Sequence, residues 1–224
     1  MSLITNLVAT ASATTKSRFR KLGKIYPEHV LLLNEIVAHP EHYANPAATF
    51  NPAVWGPKDH LVKATVYFTW PNCYAYALNT RRVDLHPGYF FEAYKLGKVK
   101  KPIHYTPDRI ATLLFQDGLV PVRLGSLEDD LFQQFTHIIL AYVSLDENDY
   151  HFVRIDADGG FSHKEGDFRP RRLAPKIGSD LVEITNRDGH RYRFLGVFSY
   201  DPTIMLSTQR VHGKRKAKQA LRLP

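Results

Sequence analysis

The stretch DYHFVRIDADGGFSHKEG, residues 149–166, decides the architecture of this chain. Its two arms, HFVRI and FSHK, flank Asp-Ala-Asp-Gly-Gly, a strong turn signal, so the segment reads as a β-hairpin. If Ile155 pairs with Phe161 across a five-residue loop, Val153 pairs with His163 and His151 with Glu165. His151 and His163 then share one face as diagonal neighbours. A four-residue loop would put them on opposite faces, because a one-residue slip turns a side chain over.

Outward from the hairpin, the runs LVPVRL, THIILAYVSL, LVEIT and YRFLGVFSY read as further short strands with turn residues between them. Toward the N-terminus the texture changes. YPEHVLLLNEIVAHPEHY (26–43) places Val30, Leu31, Leu33 and Ile36 on a helix that ends before Pro40. ANPAATFNPAVWGPKD is a loop, and HLVKATVYFTW (60–70) reads as a strand. In YTPDRIATLLFQDG, Thr106 caps a helix, Pro107 takes its first position and Gly118 ends it. Helices followed by an antiparallel meander make the fold class α+β.

The segment PNCYAYALN (71–79) holds the single cysteine of the 224 residues. A lone cysteine is most often a small buried hydrophobe. Here Pro71 bars a preceding helix, Asn72 is a strong N-cap and Cys73 takes the first helical position, where backbone N–H groups favour thiolate and face a developing oxyanion. One cysteine makes no intramolecular disulfide, and a multi-cysteine zinc site is excluded by arithmetic.

The formal charge of +8 is unevenly placed. Lys16, Arg18, Arg20, Lys21 and Lys24 crowd one end, and Arg210, Lys214, Arg215, Lys216, Lys218 and Arg222 the other, with no acid in residues 1–24 or 210–224. Removing those 11 from the 30 basic residues leaves 19 against 22 acids, a balance of −3 for residues 25–209. The organisation expected is a basic arm (1–24), an α+β body (25–209) and a basic tail (210–224). A body without excess positive charge argues against a nucleic-acid-reading face; nucleic acid would be held only through the arms. Protein partners in a larger assembly, met through those arms, are the expected use. No apolar run approaches the ~20 residues of a membrane span. The basic residues follow the weakly apolar N-terminal stretch, the reverse of a secretory signal, so neither a signal peptide nor a membrane span is expected; association with a virion or delivery by a carrier fits such a chain.

A cysteine nucleophile needs an imidazole partner. Of the 11 histidines, His29 falls in the first helix, His212 in the tail, and His39, His42, His60, His86, His104 and His190 in loops or at element ends, read as mostly solvated. His137 opens a strand as a core histidine. His151 and His163 are the informative pair. No third metal ligand stands at suitable spacing, and DADGG lacks the acidic ladder of a calcium loop, so no metal or cofactor is expected.

NCYAYAL opening a helix, followed by DYHFVRI and FSHKEG on consecutive strands, resembles the NlpC-type branch of the papain-like cysteine peptidases and amidases. The resemblance covers roughly residues 65–200, including DGLVPV before the sheet. It implies a papain-like core in which the nucleophile helix packs on an antiparallel β-meander. Cys73 is then the nucleophile, His151 the general base and acid, and His163, 12 residues on, the orienting residue. The substrate implied is an amide of a peptide or of a peptidoglycan stem peptide, cleaved through a thioester. The family commonly has an acid-cysteine-serine sequence where this chain has Asn72-Cys73-Tyr74, so Asn72 would cap and support the oxyanion site while Tyr74 reshapes the entrance. Such a site requires the Cys73 sulfur within about 4 Å of a His151 ring nitrogen. The rival reading is a structural or docking component of a large assembly such as a phage virion. An accessible sulfur beside His151 favours the first, a buried one the second.

Overall fold

A computed structural model of the chain describes residues 27–56, 70–82, 85–89, 104–122, 137–166, 168–175 and 181–201. A seven-stranded sheet forms the centre of the fold. Its strands are β1 (Val120–Pro121), β2 (His137–Ser144), β3 (Tyr150–Ile155), β4 (Phe161–His163), β5 (Arg171–Leu173), β6 (Glu183–Thr185) and β7 (Arg191–Tyr200). They run antiparallel in the order β1-β7-β2-β3-β4-β5, with β6 also on β7. β2 to β5 form the expected meander, and β7 returns to the free side of β2. The outer edge of β7 is covered in two pieces, β6 at Arg191–Arg193 and β1 at Phe198–Ser199, which shields its backbone from pairing elsewhere.

The 149–166 hairpin takes the five-residue loop. Ile155 pairs with Phe161 and Val153 with His163. The Asp156 N–H donates to the Gly160 carbonyl at 2.8 Å, and Gly159 supplies the left-handed residue at φ 77°. β4 ends at His163, so the expected pairing of His151 with Glu165 is not part of the ladder.

Helices cover both faces. On one side α1 (Pro27–Ala38) sends Leu32, Leu33 and Ile36 into a cluster with Leu140, Val153 and Ile155 of the sheet. On the other, α2 (Cys73–Ala77) and α3 (Pro107–Gln116) pack on Ile139, Tyr150, Phe152 and Phe198. α3 starts as expected: Thr106 accepts from the Arg109 N–H at 3.3 Å, and the chain leaves through Gly118 at φ 92°. A bulge shifts the phase in which β7 alternates between the two clusters. Tyr142 pairs with Phe194 but Ala141 with Gly196, leaving Leu195 as the extra residue. Phe194 and Val197 can therefore face α1 while Leu195 and Phe198 face α2 and α3.

The fold is thus mixed α+β with an antiparallel sheet. β5 was not expected from the sequence. The strand expected over 60–70 and both basic arms fall almost wholly outside the described residues, and no described helix is long and apolar enough to cross a membrane.

Candidate functional site

α2 begins where the sequence predicts. The Asn72 side chain accepts from the Ala75 N–H at 3.0 Å and donates to the Leu85 carbonyl, so Asn72 is the cap and Cys73 the first helical residue. All five residues of the helix are buried. Tyr74 does not reshape an entrance; it turns inward and donates to Asp117 Oδ2 at 2.9 Å, its ring tilted against Phe152. Tyr76 shares a 2.7 Å hydrogen bond with Ser162 on β4. At the other end, Arg154 of β3 donates from Nη1 to the Tyr76 carbonyl at 3.0 Å and lays its guanidinium 3.8 Å from the Tyr76 ring centre. A five-residue helix has little stability of its own, so these tertiary contacts hold it.

Cys73 is 6% exposed. Its thiol points at β3 and donates to the Tyr150 carbonyl at 3.8 Å. Burial pushes the thiol far above its ordinary range, the Asp149 carboxylate adds to this, and the charge of Lys164 opposes it without prevailing. Desolvation acts against the thiolate that a helix start favours.

His151 and His163 meet as the hairpin register requires, His151 Nε2 to His163 Nδ1 at 2.7 Å with the rings edge to face. Both are buried. Burial and the Arg171 and Arg187 charges lower His163 to about 3. Burial, then His163 and Arg171, hold His151 well below the ordinary imidazole range. Both rings are neutral near neutral pH, so the 3.8 Å approach of His163 Nε2 to Glu165 is not an ion pair. Glu165 instead pairs with Arg171 at 2.7 Å and Arg187 at 3.3 Å. His163 Nε2 is buried without a hydrogen-bond partner.

The expected site divides across the sheet. Successive side chains of a strand point to opposite faces. Tyr150 and Phe152 lie in the cluster that contains Cys73, and Arg154 reaches the same helix. His151 packs on Tyr192 of the α1-side cluster, which also holds Val153 and Ile155. The register brings His151 and His163 together and turns both away from Cys73. The expected Cys73–His151 pairing is corrected accordingly: β3 presents its even-numbered residues, not its odd ones, to the helix.

Other expectations also shift. His86 is buried, not solvated, with Nδ1 3.1 Å from the Pro87 carbonyl oxygen. His137 is a core histidine, yet its Nδ1 lacks a hydrogen-bond partner. The sequence reading missed Arg154, the largest fully buried side chain among the described residues, although an arginine alternating with Tyr150 and Phe152 was the available signal. The basic-arm residues, Lys16 to Lys24 and Arg210 to Arg222, lie outside the described residues.

Compared with protein-family models, with curated proteins and with solved structures, the chain gives no match.

Proposed function

We propose that this chain is a structural or docking component of a larger assembly, fastened to an acidic protein surface by its basic arms. One observation supports this reading above the others: the single thiol is 6% exposed and bonded to the backbone of β3, on the face away from both histidines. A nucleophile must reach both substrate and base, whereas a packing residue need reach neither. The charge distribution gives the docking role its chemistry, with 11 basic residues and no acid in the two end segments beside a body of balance −3. Deleting residues 1–24 and 210–224 should remove binding to a poly-glutamate surface at low salt, and added salt should weaken the full chain in the same way. Salt-independent binding, or binding retained by the truncated chain, would contradict the role given to the arms.

The second reading is a cysteine-dependent amide hydrolase acting on peptides or peptidoglycan stem peptides. Two local features favour it: the Asn72 cap that sets Cys73 at a helix start, and the 2.7 Å bond between His151 and His163 that a base and its orienting residue would make. It requires β3 to rotate so that His151 exchanges places with Tyr150 or Phe152. New amine termini from muropeptides or peptides, abolished by Cys73→Ala, would establish it; intact substrates favour the docking reading.

A further inference from the structure

The loop after α1 carries His39-Pro40-Glu41-His42, and Pro40–Tyr43 form a 3-10 helix. Its tight turn gathers the three polar side chains. Glu41 Oε1 stands 3.7 Å from His39 Nδ1 and 3.8 Å from His42 Nε2, and one donor atom from each of the three residues falls within 4.8 Å of the others. The two imidazole rings lie nearly parallel with centroids 5.4 Å apart. Neither carboxylate–imidazole approach is short enough for a good hydrogen bond. The His39 side chain makes no capping bond to the helix it precedes.

We propose that His39, Glu41 and His42 form a surface binding site for a divalent transition ion, zinc first, with water completing its coordination. Two imidazole nitrogens and one carboxylate oxygen are a donor set that zinc accepts in open sites. Zinc bonds of about 2.0–2.2 Å at tetrahedral angles put donor atoms roughly 3.3–3.6 Å apart. The observed 3.7 and 3.8 Å separations of Glu41 from the two imidazoles stand close to that range, and the two stacked rings would turn about their side-chain bonds to aim one lone pair each at the ion. Among the described residues this is the one group of three such donors close enough to share an ion.

The backbone beneath the site is already fixed. The His39 N–H donates to the Glu35 carbonyl at 3.0 Å and the His42 N–H to the His39 carbonyl at 3.1 Å, while Tyr43 is buried. The following residues are tied to the β3–β4 hairpin by Asn45 N–H to the Ile155 carbonyl and by Ala157 N–H to the Ala48 carbonyl. Gly159 of the hairpin turn packs against this segment, where a Cβ would stand 3.6 Å from Glu41 N. Binding then has only three exposed side chains to order, which keeps its entropic cost low.

The test is titration of the full chain with Zn2+ against a chromophoric chelator, repeated with Co2+, whose visible absorption reports tetrahedral coordination. One equivalent should bind, and His39→Ala, Glu41→Gln and His42→Ala should each weaken it by about tenfold or more, with unchanged circular dichroism because the side chains are exposed. His190→Gln, which removes a histidine paired with Glu147 elsewhere, should leave that equivalent unchanged. Acidification should release the ion, since imidazole must be deprotonated to coordinate. No uptake, uptake insensitive to the three substitutions, or loss in one variant alone would overturn the site.

Discussion

Cys73 and His151 lie on opposite faces of the same strand. The thiol of Cys73 donates to the Tyr150 carbonyl, 3.8 Å away, while His151 turns through the other face to bond His163 at 2.7 Å. The backbone of β3 therefore stands between the sulfur and the imidazole, and no proton passes directly from one to the other. Cys73 has the position of a nucleophile and the surroundings of a packing residue. Cys73 touches a cluster that includes Tyr74, Tyr150 and Phe152.

The histidine pair makes stability sensitive to acid. His163 is lowered to about 3 in the folded chain, whereas an unfolded histidine titrates near 6.5. Between those values the unfolded state holds the extra proton, so stability falls as pH drops, by up to about 1.4 kcal/mol per pH unit for this group. His151 is depressed as well and acts in the same direction. Urea midpoints between about pH 6.5 and pH 5 should fall steadily for the wild type. A His151→Phe/His163→Leu double variant should flatten the profile; an equal slope in both proteins would contradict it.

Arg154 is the tie between the sheet and the end of α2. Its Nε donates to Asp156 Oδ1 at 2.7 Å, Nη1 to Tyr76 and Asn79 oxygens at 3.0 and 3.2 Å, and Nη2 to the Thr49 carbonyl at 3.2 Å. Arg154→Met removes all four and leaves the buried Asp156 carboxylate with Arg172, 3.0 Å away. Urea denaturation should show a loss of about 3–5 kcal/mol. A loss below about 1 kcal/mol would mean that the network contributes little.

Gly88 tests how closely the segment after α2 approaches α3. It sits at φ 87°, and a Cβ there would come 2.5 Å from Leu113 Cδ2. Gly88→Ala combines left-handed strain with overpacking, and the thermal midpoint should drop by the equivalent of about 2–4 kcal/mol. An unchanged midpoint would show that Leu113 moves aside freely.

Much of this was legible in the residues. The DADGG turn settled the hairpin, and its five-residue loop made the contact between His151 and His163 a matter of register. Asn72 and Thr106 marked helix starts because their side chains accept the N–H groups that a first turn leaves unpaired. What the sequence did not carry was the face of β3 that meets α2. Tyr150, Phe152 and Arg154 alternate with His151, Val153 and Ile155, and each set is mostly apolar because helices cover both sides of the sheet. Period-2 alternation names a face only when one side is wet. β5 escaped for a related reason: Arg171, Arg172 and Leu173 are half-buried on the strand next to β4, and two arginines do not read as a strand. The three donors of the 39–42 turn were visible as letters, but their convergence depends on the 3-10 geometry.

The central claim, that Cys73 is a buried packing residue and not a nucleophile, is tested most directly by the rate at which a small disulfide reagent modifies its thiol under native conditions across pH. The expected result is slow modification, limited by opening of the fold, with no inflection near neutral pH and no acceleration or slowing specific to the His151 imidazole beyond its effect on stability. Fast modification of the folded chain, with an inflection below about pH 7 that disappears in His151→Ala, would contradict it and establish a thiolate paired with that histidine.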